Sequence, residues 1–161
     1  MSYYTDLAFV VAFDDKEKLT AWLCAVVLDM QEQVEWYGTE KDSAGFNRES
    51  TLIDVFRMGG YREYESYATN LVHTFTIESS FKNLPWAVET RLQDICSMAS
   101  LTGGGGGYYM IGEDSDDQQS YATDMGGFDM SSYFEVVREV RQTNDSYVYD
   151  GGELLKTILG A

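Results

Sequence analysis

Leu19, Trp22, Leu23, Val26, Val27, Met30 and Val34 recur at the spacing of one face of an α-helix. Asp14 with Glu17 fits an N-terminal capping pair, and Gly38 offers a stop. An apolar stripe this wide has to be covered. The run just before it, Leu7-Ala-Phe-Val-Val-Ala-Phe13, favours β structure and ends at Asp14-Asp15. Together they predict a helix that presses its Trp22 and Leu23 face onto a sheet.

The rest of the chain supplies that sheet. Residues 39–50 are polar and read as a loop. Thr51–Arg57 is predicted as a strand, Met58-Gly59-Gly60 as a turn, and Tyr61–Ala68 as the returning strand. Leu71–Glu78, rich in β-branched and aromatic residues, reads as a further strand. A second helix starts near Pro85, the single proline, with Asn83 as its cap. Val88, Leu92, Ile95, Cys96 and Ala99 line one of its faces. Tyr108–Ile111 then resumes as a strand. Between Ser131 and Gln142, Tyr133, Val136, Val137 and Val140 fit a helix, with Ser132 and Glu135 as a capping pair. Phe134, Val136 and Val140 fit a strand almost as well, and helix is the expectation adopted. Ser146–Tyr149 reads as a short strand and Glu153–Leu159 as a short terminal helix.

The resulting order, β-α-β-β-(β)-α-β, is that of an α+β fold. It resembles the ferredoxin-like arrangement, an antiparallel sheet with two helices packed on one face, plus a C-terminal extension. The expectation is a single domain over 1–161, with a core at 1–112 and an acidic loop and extension at 113–161. The likeness is topological and carries no function of its own.

Charge narrows the function further. Twenty-seven acids face eleven basic residues, a net charge of −16. Residues 1–100 hold 16 acids and 8 bases, and residues 101–161 hold 11 acids and 3 bases; both parts therefore carry −8, and the shorter one is the denser. Phosphate affinity comes from Lys and Arg, so direct binding to nucleic acid or an anionic membrane is disfavoured and a basic partner is favoured. The apolar stretch from Leu19 to Met30 is too short to span a bilayer, and no basic segment precedes an apolar one at the N-terminus. The expected location is cytoplasmic. Cys24 and Cys96 form no disulfide framework and read as buried free thiols.

Five consecutive glycines, Gly103–Gly107, lead through Tyr108–Gly112 into Glu113, Asp114, Asp116 and Asp117. A phosphate loop leaves a strand and opens a helix; here the helix comes first, and no Lys-Ser or Lys-Thr pair follows. The EF-hand template also fails. Counted from Asp114, the sixth position is Gln119 instead of glycine and the twelfth is Met125 instead of Glu. The segment is expected to be a helix stop and a hinge feeding an acidic projection.

Catalytic signals are weak. The single histidine, His73, sits in a strand pattern with Leu71, Phe75 and Ile77, the place of a packed, hydrogen-bonded residue. There is no Gly-x-Ser-x-Gly elbow, and Cys24, His73 and Cys96 make no ligand cluster. No catalytic residue, cofactor or metal is expected.

Twelve tyrosines, several alternating with acids as in Tyr61-Arg-Glu-Tyr-Glu65, suit a protein interface more than RNA stacking, which needs positive flanks. The expectation is a non-enzymatic acidic protein that occupies the basic, nucleic-acid-binding surface of a nuclease, CRISPR effector, restriction enzyme or polymerase. In general character this resembles virus-encoded DNA-mimic inhibitors that disarm bacterial defence, of anti-CRISPR or anti-restriction type; for such a protein the location would be the host cytoplasm. The expected contact residues are Glu63, Glu65, Glu113, Asp114, Asp116, Asp117, Asp124 and Asp129. Two alternatives stand beside this: a module binding through tyrosine and apolar contacts, its acidity serving solubility alone, and a small-ligand-binding protein or divergent enzyme. A homo-oligomer is a further possibility.

Overall fold

Strand β1 (Tyr4–Phe13) is buried from Leu7 to Phe13, so both of its faces must be covered. The computed structural model describes residues 4–37, 48–65, 71–82, 84, 88–113, 118–123, 128–136, 140–142, 148–150 and 158–160. After β1 come helices α1 (Lys16–Tyr37) and α2 (Arg48–Phe56), and strands β2 (Gly60–Glu65) and β3 (Leu71–Lys82). Helix α3 (Val88–Leu101), strand β4 (Gly105–Gly112) and strand β5 (Gln118–Ala122) follow. A 3-10 turn (Met130–Ser132) then precedes short strands β6 (Phe134–Val136), β7 (Val140–Gln142) and β8 (Val148–Asp150).

Six strands form one antiparallel sheet in the order β5-β4-β1-β3-β2-β8, and β6 pairs with β7 separately. The inner four, β4-β1-β3-β2, are joined by helical crossovers between β1 and β2 and between β3 and β4. The fold is α+β, and this order fits the ferredoxin-like arrangement read from the sequence. Two strands extend it, β5 beside β4 and β8 beside β2.

All three helices lie on one face. Leu7, Phe9, Val11 and Phe13 of β1, with Phe75 and Ile77 of β3, meet Leu19, Trp22, Leu23, Val26, Val27 and Met30 of α1. Val88, Leu92, Ile95, Cys96 and Ala99 of α3 are all buried against the same core, as their spacing predicts. A relay of rings runs through it: Phe9 to Phe56 (5.6 Å), Phe56 stacked on Phe75 (5.3 Å), Phe75 to Trp22 (6.3 Å) and Trp22 to Phe13 (6.2 Å). Such pairs add about 0.5–1.5 kcal/mol each beyond area burial. Trp22 Nε1 donates to the Ile95 carbonyl at 3.3 Å and ties α1 to α3.

Several sequence expectations are corrected. Thr51–Arg57 is not a strand. Residues 48–56 form α2, because Leu52, Val55 and Phe56 fall on one helical face and reach the ring relay, while Asp54 and Arg57 stay outside. Among the described residues the sheet therefore carries three helices instead of two, and residues 48–50, expected in the polar loop, belong to α2. The cap of α1 is Asp15, whose Oδ1 accepts from Glu17 N at 2.7 Å; Asp14 pairs with Lys18 instead. The described residues between 131 and 142, 131–136 and 140–142, are not an α-helix. Asp129 caps the 3-10 turn, accepting from Ser131 N at 3.0 Å, and β6 and β7 follow it. The alternation of Phe134, Val136 and Val140 was the operative signal. Asn83, Pro85, residues 39–47 and residues 153–157, on which other expectations rest, lie outside the described residues.

The glycine run is also not a hinge. Gly103, at φ +90°, ends α3, and Gly104 N donates to the Ala99 carbonyl at 2.9 Å. Gly105, Gly106 and Gly107 are the first half of β4, pairing with Ala12, Val11 and Val10. A Cβ on Gly105 would lie 2.5 Å from Phe128, one on Gly107 2.6 Å from the Tyr121 carbonyl, and one on Gly106 3.3 Å from Cys96. These glycines admit α3 on one side of β4 and residues 128–134 on the other. Ala8, Val10, Met130 and Phe134 form that second core, with Tyr109, Phe128 and Tyr133 packed against it. Gly105→Ala should cost about 1–3 kcal/mol by overpacking against Phe128, measured by urea unfolding. A cost below about 0.5 kcal/mol would contradict this seating of the ring.

Candidate functional site

Two polar clusters lie on the helix-covered face, at opposite sides of the sheet. The first joins β2 and β3. Their register sets Glu63 opposite His73 and Tyr61 opposite Phe75, and strand alternation puts Tyr61 and Glu63 on the same face. Tyr61 is buried, its hydroxyl donates to Glu63 Oε1 at 2.8 Å, and it also contacts His73 Nδ1. The Tyr61 and His73 rings stack with centroids 5.9 Å apart, and Lys16 Nζ lies 5.1 Å from the Tyr61 centroid. His73 Nδ1 is 3.9 Å from Glu63 Oε1. The arrangement can hold a proton between a phenol, an imidazole and a carboxylate. Among the described residues no serine, threonine or cysteine bonds His73, so a nucleophile beside the base is missing from it.

The second cluster anchors β5 to α3. Tyr108 donates to Glu89 Oε1 at 2.8 Å and accepts from Gln93 Nε2 at 3.3 Å. Gln119, its amide nitrogen turned toward α3, donates to the same Glu89 carboxylate. Tyr121 stacks on Tyr108 with centroids 6.1 Å apart and shares a hydrogen bond with Ser97 Oγ at 3.1 Å. Burial, first, and the Glu89 carboxylate push the Tyr108 phenol well above its ordinary range, and burial does the same to the Cys96 thiol. Cys96 is therefore an inert packed thiol; Cys24 is only partly buried.

The sequence-nominated contact residues do not share one place. Glu63 belongs to the first cluster, at the Phe13 end of the sheet. Glu113 is exposed at the other end, where its Oε1 accepts from Tyr4 N at 3.2 Å. Nine residues of strand and three inter-strand spacings separate them, roughly 30 Å. Asp129 is exposed and serves as the cap of the 3-10 turn. The side chain of Glu65 and all of Asp114, Asp116, Asp117 and Asp124 lie outside the described residues.

Most described acids are exposed, while Asp6, Asp29, Glu63 and Glu89 are partly buried. None is buried, and Asp14, Asp15, Glu17, Glu32, Asp54, Glu78, Asp94, Glu113 and Asp129 are exposed. The exposed pairs Asp14–Lys18 (3.2 Å) and Asp54–Arg57 (3.1 Å) contribute little, and Asp29 pairs with Arg91 between α1 and α3. One basic group is oddly placed. Arg62, on the face of β2 away from the helices, buries Nε and Nη1 without a hydrogen-bond partner among the described residues. Among the described residues no three His, Cys, Asp or Glu side chains converge as a metal site, and no helix is long and apolar enough to cross a membrane.

No family model, curated protein or solved structure matches the chain. The functional reading therefore rests on the molecule's own chemistry.

Tyr61→Phe should destabilise the fold by about 1–3 kcal/mol, since it strips a partner from both His73 and Glu63. Tyr4→Phe, at an exposed position, should change stability by less than about 0.5 kcal/mol in the same urea series. Tyr108 adds a pH signature. Its folded phenol holds its proton beyond the pH, about 10, at which the unfolded phenol loses it. Its contribution is thus complete below pH ~10 and is lost as pH rises from there toward the folded value. Tyr108→Phe should flatten that alkaline loss of stability in thermal melts; an unchanged slope would remove Tyr108 as its source.

Proposed function

We propose that this chain is a non-enzymatic acidic binding protein that occupies a basic, nucleic-acid-binding surface of a partner protein, as a DNA mimic does. The observation that carries the reading is the placement of charge: −16 in 161 residues, with every described acid outside the core. Duplex DNA presents about one negative charge per 1.7 Å of axis, and a groove built to hold it is lined with Lys and Arg. A folded domain displaying carboxylates competes for such a groove without offering a base or a scissile bond. The partner class is a nuclease, a CRISPR effector, a restriction enzyme or a polymerase, and the setting is anti-defence inhibition in a host cytoplasm. The stacked tyrosines at Tyr61 and Tyr108 are spent on internal cross-strand and helix contacts, which favours the charge reading over a tyrosine-led interface.

The test is competition. A partner captured from host lysate at low ionic strength should release the protein steeply between about 0.1 and 0.5 M NaCl, because exposed charges are screened within about 10 Å. Duplex DNA should displace it from the same partner. Reversing Glu113, Asp114, Asp116 and Asp117 to Lys should abolish capture with the melting temperature retained. Binding that ignores salt and DNA, or survives the reversal, would move the protein to the class of apolar and tyrosine-mediated modules.

A further inference from the structure

Strand β5 ends the sheet on one side, and among the described residues its outer edge is unpaired. Its inner edge is fixed: Ala122, Tyr121, Ser120, Gln119 and Gln118 pair with Gly107 through Ile111, and Thr123 N donates to the Gly106 carbonyl at 2.9 Å. Because Thr123 points its N–H at β4, alternation sends the N–H groups of Tyr121 and Gln119 the same way. Those of Gln118, Ser120 and Ala122 point outward, and all three residues are exposed. Among the described residues no other group takes their outward N–H or C=O groups. The edge is also held in shape. Gln119 and Tyr121 face the helices and are bonded to Glu89 and Ser97, so β5 is ordered before anything docks on it.

The geometry points to β5 as a strand-addition site for an extended basic segment of a partner protein, and this rests on the charge reading above. The strand itself, Gln118-Gln-Ser-Tyr-Ala122, carries no charge, whereas the sequence around it places Asp114, Asp116 and Asp117 before it and Asp124 after it. A second copy is the poorer occupant. Two copies would each bring a net charge of −16 to the pairing, which opposes it, whereas a partner strand rich in Lys or Arg meets the opposite sign. The expected ligand is therefore a neutral β-favouring stretch of about five residues with a basic residue at either end, pairing main chain to main chain.

The experiment uses the full chain and three labelled peptides in fluorescence anisotropy: KRTVTVTRK, its strand-breaking analogue KRTVPVTRK, and the acidic EETVTVTEE. KRTVTVTRK should bind at least tenfold tighter than KRTVPVTRK, with amide shifts concentrated at Gln118, Ser120 and Ala122 in NMR spectra. Ser120→Pro removes an outward donor and spares the ladder to β4. It should weaken KRTVTVTRK at least tenfold and leave KRTVPVTRK unchanged. Equal binding of the two basic peptides overturns edge docking and leaves the charge reading standing; this comparison holds even if Ser120→Pro fails to fold. Equal binding of KRTVTVTRK and EETVTVTEE, both lost in Ser120→Pro, upholds the edge and overturns the basic partner. A homodimer in light scattering that Ser120→Pro converts to monomer overturns it as well, since the occupant would then be a second copy.

Discussion

The double burial of β1 is the constraint from which the remaining architecture follows. From Leu7 to Phe13 this strand has no side exposed, so its odd-numbered residues require the helices and its even-numbered ones require a second cover. A four-stranded sheet with helices on one face would leave Ala8, Val10 and Ala12 in water. The chain covers Ala8 and Val10 with Phe128, Met130 and Phe134, which come from the part of the sequence that is poorest in regular pattern. The glycines of β4 make that solution possible. Side chains at 105 and 107 would hold Phe128 away from the sheet, and a side chain at 106 would hold α3 away from it. A backbone bare on both sides is a cost to strand propensity, and here two packing layers offset it.

Charge and fold are nearly independent in this molecule. The two cores contain no described acid, and the ion pairs that tie elements together are few, with Asp29–Arg91 bridging α1 and α3. Among the described carboxylates, folding uses Asp15 and Asp129 as caps, Glu63 and Glu89 as acceptors and Asp29 as an ion-pair partner, and it tolerates the remaining charge at the cost of self-repulsion. Arg62 is the exception, a cation with Nε and Nη1 buried on the sheet face that lacks helices.

What could be read from sequence was whatever local periodicity determined. The stripes of α1 and α3, the strand pattern at 7–13 and the order of the central elements belong to that class. Thr51–Arg57 did not, because its run of Leu52, Ile53, Val55 and Phe56 suits a short strand in composition while Leu52, Val55 and Phe56 keep helical spacing; what decides is Phe56 lying between Phe9 and Phe75, a contact no window can contain. Gly105–Gly107 carry the composition of a linker, and only the arrival of Phe128 more than twenty residues later makes them a strand. Gln118–Ala122 has no β-branched residue and is a strand because β4 offers it an edge. Among the candidate site residues, His73 was recognised as a packed histidine. Its partners Tyr61 and Glu63 were not assigned to it, since the β2–β3 register that sets Glu63 opposite His73 is not contained in either strand's own pattern.

An open edge strand is ordinarily a hazard, and its survival here is informative about how the charge acts. Three outward-facing residues offer a handful of main-chain hydrogen bonds, each worth about 0.5–1.5 kcal/mol net. Association costs about 4–15 kcal/mol in lost freedom and ordering. Five residues of edge are thus insufficient alone, and the sign of the electrostatic term decides who binds. Two unit charges about 5 Å apart contribute roughly 0.8 kcal/mol in water and several times that near a protein surface. For a second copy, also of net charge −16, that term opposes pairing; for a basic strand it has the opposite sign. On the proposed reading, the charge that disfavours β5 pairing with itself favours a positively charged partner, without any lysine or proline on the edge itself.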